Sequence, residues 1–353
     1  DPETRTAYVA GGSLLGELDH EAMAQGLVTT AGTVSHTGVG GLTLGGGFGR
    51  LARKYGLALD NVTGVDIVTA DGKLVHASAE EHPDLFWAVR GGGGNFGVVT
   101  SFEFGLHPHS RTVIGGDVLF PLSELRNVLA FYADYAVTAP DDLYLDFFVA
   151  SEPGTTEGVC GLHACYSGPA EQAEKVVAPI RKAGMLINDD IAATDYVAIQ
   201  RSWDNSDPRH TGSYLKSGFV NAIPDQLVST IAQNFKAFNE RGTTMFFQHS
   251  GGAIGRVPVD ATAFAHRKSI ANMFAVVEWP LGESRDSHVA YIKDYWRQYE
   301  PFTDGWYTNE VDDHGASTVN RNYQGNYERL VRVKNRYDPT NLFRLNANVE
   351  PTV

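Results

Sequence analysis

Asp84-Leu85-Phe86-Trp87-Ala88-Val89-Arg90-Gly91-Gly92-Gly93-Gly94-Asn95-Phe96-Gly97-Val98-Val99-Thr100 is the stretch on which the fold turns. Residues 84–90 carry the apolar spacing of a short helix, a run of glycine follows, and 98–104 alternate as a strand. Within it, Gly92-Gly93-Gly94-Asn95-Phe96-Gly97 formally matches G-x-G-x-x-G. A dinucleotide fingerprint, however, follows a strand and opens a helix, and here that order is reversed. The sequence also has no P-loop Gly-Lys-Ser/Thr. A Rossmann-type nicotinamide reductase and an NTPase are therefore poor readings.

Upstream lies a second glycine cluster, Gly38-Val39-Gly40-Gly41-Leu42-Thr43-Leu44-Gly45-Gly46-Gly47-Phe48-Gly49. Strand-like runs at 62–69 and 74–77, joined by the Asp71-Gly72 turn, separate the two clusters. Glycine lets a ligand approach backbone N–H groups closely, and successive N–H groups in a tight turn form an anion-binding nest. The clusters thus predict either a phosphate-bearing cofactor or tight turns and close strand packing. After Pro108 the texture changes. Helical periodicity appears at 122–138 and 169–183, and strands at 143–150 and 158–166. A last helix at 327–336 is stopped by Asp338-Pro339. The fold class is α+β.

The chain has 353 residues, 42% of them hydrophobic, enough for more than one compact lobe. Its formal net charge of −14 opposes phosphate backbones and argues against nucleic acid as a partner. No apolar stretch is long enough to cross a bilayer, and no signal-peptide pattern is present, which leaves the compartment open between cytoplasmic and secreted. Cys160 and Cys165 sit five apart in one alternating segment, so they point to opposite faces and read as packed free thiols. Histidines and carboxylates show no metal-ligand spacing. A monomer or homodimer acting on a small molecule is expected.

Three long motifs in order carry a resemblance. Gly40–Gly49, with Leu59-Asp60-Asn61-Val62 and Val68-Thr69-Ala70-Asp71-Gly72, resembles the second part of the FAD domain of the vanillyl-alcohol-oxidase (PCMH-type) superfamily. Residues 84–100 resemble the same family's hallmark. Asn326-Tyr327-Glu328-Arg329-Leu330, Lys334, Tyr337-Asp338-Pro339 and Asn341-Leu342-Phe343 resemble the terminal element of berberine-bridge-enzyme-like oxidases. The resemblance implies a PCMH-type FAD-binding lobe, incomplete at its N-terminus, over 1–108. It implies a substrate domain over 109–302, an antiparallel sheet covered by helices, and an element at 303–353 that returns to the FAD domain.

The resemblance further implies FAD contacts, many through backbone, at Val39, Gly40, Gly41, Gly45, Gly46, Gly47, Asn61, Asn95, Gly97 and Val99. Asn326, Asn346 and Asn348 are implied to return to the flavin. Family members carry an N-terminal subdomain that supplies pyrophosphate contacts and a flavin-linking histidine, with no counterpart visible here. Val34 stands where bicovalent members place a cysteine, so no cysteinyl bond forms there, and a histidyl link would need a segment absent here. Neighbouring His36 reads as facing the flavin or substrate, or as a hydrogen-bonded structural histidine.

Flavin oxidation needs a base for the substrate O–H or N–H and a carbon held over the flavin. Tyr323 matches the tyrosine the family uses before its terminal helix, either as that base or as packing under the flavin. Asn326 reads alternatively as a helix N-cap. Tyr214 and Lys216 share one face of a strand-like segment and are candidates for the pocket, as are Tyr307 and Asn309 in Trp306-Tyr307-Thr308-Asn309-Glu310, read as a second pocket-side strand. His249, His266 and Arg267 have no evident duty. The resemblance implies an FAD-dependent oxidase or dehydrogenase, oxidising an alcohol, sugar, amine or secondary-metabolite intermediate with O2 as acceptor. The alternative is a flavin-free isomerase, cyclase, lyase or binding protein on the same scaffold.

Overall fold

The computed structural model describes residues 1–151, 157–206, 211–235, 241–310, 316–345 and 347–353. Its first sheet has four antiparallel strands in the order Thr6–Ala10, Val98–Gly105, Val62–Val68, Leu74–Ser78. The hallmark segment feeds it as expected: helix Pro83–Val89, a glycine turn, then the central strand. Alternation buries Phe102 and Phe104, and a register shift between Ser101 and Val99 turns Val99 to the same apolar core, with Leu85, Phe86 and Trp87 of the helix in the same cluster.

The second sheet has eight strands. Its main path runs Asn188–Asp189, Thr112–Pro121, Gly158–Tyr166, Leu143–Ser151, Gly242–His249, Ala271–Pro280, Thr211–Val220, and Ala192–Asp195 pairs beside Asn188–Asp189 on the same edge of Thr112–Pro121. Every pairing is antiparallel, which lets one face be buried and the other remain accessible. Leu145, Phe147 and Val149 with Met245, Phe247, Met273 and Ala275 bury one face. Helices Leu125–Thr138, Asp225–Asn234 and Arg285–Arg297 contribute Val128, Leu129, Ile231, Ile292 and Trp296 to that same core.

Two sequence expectations change. The helix expected over 169–183 is broken into Ala170–Gln172, Ala173–Val177 and Ile180–Lys182. Pro179 lies inside it, lacks the N–H that would continue the ladder and crowds the preceding turn. The segment 306–310 is a turn, not a strand. Cys160 and Cys165 are buried free thiols, one in the core under the helices and one in a separate cluster with Tyr144 and Tyr196.

Buried polar side chains lock the two sheets' surroundings together. Arg53 donates to the carbonyls of Leu143 (3.0 Å), Ser250 (2.5 Å) and Ala139 (2.8 Å). Arg267 forms a two-pronged pair with Asp60, at 2.7 and 2.8 Å, with both side chains out of water. His249, on the helix-covered face, accepts from Leu145 N–H and bonds the Ala136 carbonyl. His266 stacks on Phe219 and bonds Asn322. These are structural duties. No described helix is long and apolar enough to cross a membrane, and no described cluster of His, Cys, Asp or Glu could hold a metal ion.

Candidate functional site

A cavity of about 870 Å³ opens where the glycine turns meet the accessible face of the larger sheet. Glycine backbone forms much of its lining. At Gly38, Gly41 and Gly93 an added Cβ would meet no atom within 4 Å, so these positions present bare backbone to open space. The sheet contributes Gln248, and the 307–310 turn contributes Tyr307, Asn309 and Glu310. Thr33, Val34, Phe48, Asn95, Tyr323 and Ala347 are among the other lining residues.

The 307–310 turn is tightly held. Tyr307 Oη accepts hydrogen bonds from Gly47 N–H and from Asn309 Nδ2, both at 2.8 Å, and its ring meets Phe48 edge-on at 5.3 Å. Its own N–H donates to Ser217 Oγ at 3.2 Å. Asn309 Nδ2 also donates to the Leu42 carbonyl at 2.9 Å. Burial pushes the Tyr307 hydroxyl well above the usual phenol range, so it stays protonated. Beside it, Glu310 accepts from Asn272 Nδ2 at 3.0 Å, and burial pushes its carboxyl up to about 7 against the hydrogen bonds from Asn272 and Ser217. Asn272 Oδ1 is buried with no protein partner.

A row of aromatic rings crosses the same sheet face. Phe148 and Phe246 stack at 6.3 Å and 15°, and Phe246 and Phe274 at 5.1 Å and 21°. Trp203 stands edge-on to Phe246 at 5.3 Å. Strand register places this row on the side that carries Gln248 and Asn272, and its rings are half-buried rather than sealed under the helices. Arg50 lies 4.9 Å from the Trp203 ring and ties the Thr33 loop to the sheet. It donates to His163 Nε2 (3.0 Å), Gln200 Oε1 (3.2 Å) and the Thr33 carbonyl (3.3 Å). Burial first and Arg50 second push His163 down to about 4, so it is neutral and can accept from Arg50 while bonding Asp117.

Of the residues singled out in the sequence, the cavity collects Gly41, Asn95, Tyr307, Asn309 and Tyr323. Asn95 divides its duties: its amide donates to the carbonyls of Gly92 and Ala347, and its Oδ1 accepts from Val349 N–H, fastening the C-terminal segment to the glycine turn. Tyr323 is buried against the Gly92 carbonyl at 3.4 Å. Burial raises its hydroxyl, with Tyr327 adding to the rise. That environment opposes ionisation and fits the packing alternative better than the base.

Others lie elsewhere. Gly40, Gly45, Gly46, Gly47 and Gly97 serve close packing, where a Cβ would crowd Gly11, Asn309, Tyr307, Ala58 and Val68 respectively. Val39 and Val99 are core residues. Asn61 spends its amide on the Leu57, Tyr55 and Thr30 oxygens and its Oδ1 on His107. Asn326 makes no cap; it donates to the carbonyls of Val259, Thr262 and Ala263. His36 turns toward Asp204, 3.9 Å away. Tyr214 is a correction: it is buried on the helix-covered face, with Arg285 and Lys293 over its ring, and alternation puts Lys216 on that face too. The cavity-side residues of that strand are its alternates, Ser217 and Phe219. Asn348 lies just beyond Ala347, its Oδ1 buried without a partner. Asn346 lies outside the described residues.

Comparison with known proteins gives a consistent result. A family profile described as "FAD binding domain" matches residues 1–78, and one described as "Berberine and berberine like" matches 306–350. An FAD-linked oxidoreductase of Dictyostelium discoideum is 32% identical over 99% of this chain and 76% of its own length. The (R)-6-hydroxynicotine oxidase of Paenarthrobacter nicotinovorans is 30% identical over 98% and 77%. Among solved structures, 6-hydroxy-D-nicotine oxidase from Arthrobacter nicotinovorans superposes with a TM-score of 0.88 at 28% identity, covering 99% of this chain and 79% of that one. Xylooligosaccharide oxidase from Myceliophthora thermophila superposes at 0.87 and 26%, covering 100% and 80%.

Proposed function

This chain belongs to the berberine-bridge-enzyme-like FAD-linked oxidoreductases, and on that premise we propose that it oxidises a small, ring-bearing alcohol or amine, neutral or cationic, in the cavity between the glycine turns and the aromatic sheet face. The observation that carries the reading is the cavity's two-sided lining. Bare glycine backbone meets open space on one side, and Gln248, Tyr307 and Glu310 lie on the other, with the row of half-buried rings continuing along the sheet face that carries Gln248.

The residues present fit FAD. Gly38, Gly41 and Gly93 leave room for it, and the orphaned Asn348 Oδ1 is an acceptor left for a donor such as a flavin ring N–H. When bound, FAD supplies the two-electron acceptor for the substrate hydrogen, with O2 as the final oxidant. The chain's own residues do the rest. Phe148, Phe246 and Phe274 offer flat apolar area to a ring. Gln248 orients a hydroxyl or amine by hydrogen bonding, and Asn272 behind it holds Gln248 and Glu310 in place. No basic side chain is among the described lining residues, so an anionic substrate would be desolvated without a counter-charge.

The test is anaerobic mixing of the FAD-loaded chain with benzyl alcohol, benzylamine, a xylooligosaccharide and mandelate, followed by admission of air. Benzyl alcohol or benzylamine is expected to bleach the flavin, with colour restored and hydrogen peroxide formed on aeration. Bleaching by mandelate at the fastest rate in the set would contradict the proposed substrate class.

A further inference from the structure

We propose that Glu310 is the residue that takes the proton from the substrate O–H or N–H, with Ser217 and Asn272 as its positioning residues. This rests on the oxidase reading above. Glu310 is the one carboxyl among the described residues lining the cavity, and no described lysine, arginine or histidine joins it there. The turn that carries it is pinned at Tyr307 by Gly47, Asn309 and Ser217, so its position is fixed relative to the glycine wall. The two described tyrosines of the cavity are poor acceptors for a proton, because burial holds both hydroxyls in their protonated form.

The surroundings of Glu310 set its chemistry. From the 211–220 strand Ser217 faces it, from the 271–280 strand Asn272, and on its own turn Tyr307 and Asn309 are its neighbours; Gln248 lies next to Asn272. None of these carries a charge. Asp312, Asp313 and His314 follow in sequence, outside the described residues. Burial raises the carboxyl to about 7, while the Asn272 and Ser217 hydrogen bonds keep it from rising further. A carboxylate that titrates near the working pH is matched to proton abstraction. Asn272 itself is fully buried, so it acts on Glu310 from behind and leaves the cavity side of the carboxylate for the substrate proton.

The step balances. The substrate R2CH–OH, or the corresponding amine, gives its O–H or N–H proton to Glu310 and its C–H hydrogen with two electrons to the flavin. A C=O or C=N product and a protonated Glu310 remain, and the proton is later lost to solvent.

The test compares the FAD-loaded wild type with Glu310→Gln and Ser217→Ala. One readout needs no substrate. A carboxyl with a raised folded-state pKa costs stability once it is ionised in place; the cost is absent below the unfolded value, 4.5, and in full force above about 7. The melting temperature of Glu310→Gln relative to wild type should therefore climb between pH 5 and pH 8, by on the order of 2–4 °C. A flat difference overturns the proposal. The second readout is anaerobic bleaching by whichever of benzyl alcohol or benzylamine reduces the wild type. Its rate should rise with pH through a midpoint of about 7 in wild type. In Glu310→Gln it should fall about 100-fold or more and lose that pH dependence. Ser217→Ala removes a donor to the carboxylate and should move the midpoint upward. Glu310→Gln bleaching at the wild-type rate, with FAD retained, overturns this assignment alone. A wild type that takes up no FAD, or is bleached by none of the probes, overturns the oxidase reading and the assignment with it.

Discussion

Replacing Lys334 by methionine is expected to destabilise the protein by about 3–5 kcal/mol, the range for breaking one side of a fully buried ion pair. Lys334 and Asp338 are both shielded from water and lie 2.6 Å apart, one turn apart on the last helix, Tyr327–Tyr337, and its C-cap. The ammonium also donates to the carbonyls of Asn95 (2.9 Å) and Phe343 (2.7 Å). Asp338 accepts in turn from the backbone N–H groups of Leu342 (2.8 Å) and Phe343 (2.9 Å). Burial alone would raise the Asp338 carboxyl, but Lys334 and those N–H donors outweigh it and hold it below the ordinary carboxylate range. Burial pulls the Lys334 ammonium down, with Asp338 opposing the shift. Methionine keeps the apolar stem and leaves an uncompensated carboxylate. Asp338 contributes stability above its unfolded value of 3.8 and loses it as pH falls through the folded one. The penalty of Lys334→Met, measured by urea unfolding, should thus be largest at neutral pH and shrink below about pH 4. An unchanged unfolding midpoint at pH 7 would show that the pair is not load-carrying for the C-terminal segment.

Replacing Gly91 by alanine is expected to destabilise by on the order of 2–4 kcal/mol and to weaken FAD binding more than tenfold. Its φ is +115°, a conformation side chains rarely adopt, and an added Cβ would sit 2.8 Å from Phe264 Cα and closer still to that residue's N. The space is closed by backbone: Gly91 and Gly93 N–H both donate to the Leu44 carbonyl, and Ala263 N–H donates to the Arg90 carbonyl. Relief would require the 91–94 turn to move away from the cavity it lines. Gly93→Ala is the comparison. It also has positive φ, +67°, but its Cβ meets nothing, so a cost nearer 1 kcal/mol is expected. Chemical denaturation and titration with FAD measure both. Equal effects at the two positions would contradict the packing argument.

The fold was legible wherever one physical signal dominated. Alternation marked Val98–Gly105, Leu143–Ser151 and Gly158–Tyr166, and the Asp338-Pro339 stop marked the end of the last helix. Where two signals competed, the expectation failed: the apolar spacing of 169–183 read as one helix, but Pro179 breaks the ladder. The site was legible in part. The glycine clusters located the cavity, yet glycine alone did not distinguish backbone facing open space, as at Gly41 and Gly93, from backbone packed on backbone, as at Gly40 and Gly97. Tyr214 and Lys216 were placed on one face, which is correct, but alternation does not say which face looks at the cavity, and the helix bearing Arg285 and Lys293 decides it. Gln248 and Asn272 become neighbours only through the pairing of two strands, and Glu310 joins them through a turn with no motif of its own. A lone carboxylate in a turn carries no spacing signal. Arg50 was missed for a similar reason, because its partners His163 and Gln200 lie more than a hundred residues away in sequence.

The measurement that tests the central claim most directly is an absorbance spectrum of the purified chain from the near-ultraviolet through the blue, after incubation with FAD and removal of the excess, and again after acid precipitation. The account predicts the bands of oxidised flavin in near-stoichiometric amount, shifted from those of free FAD, and bleached on anaerobic addition of substrate. A folded, colourless chain that retains no flavin at any FAD concentration tried would contradict it.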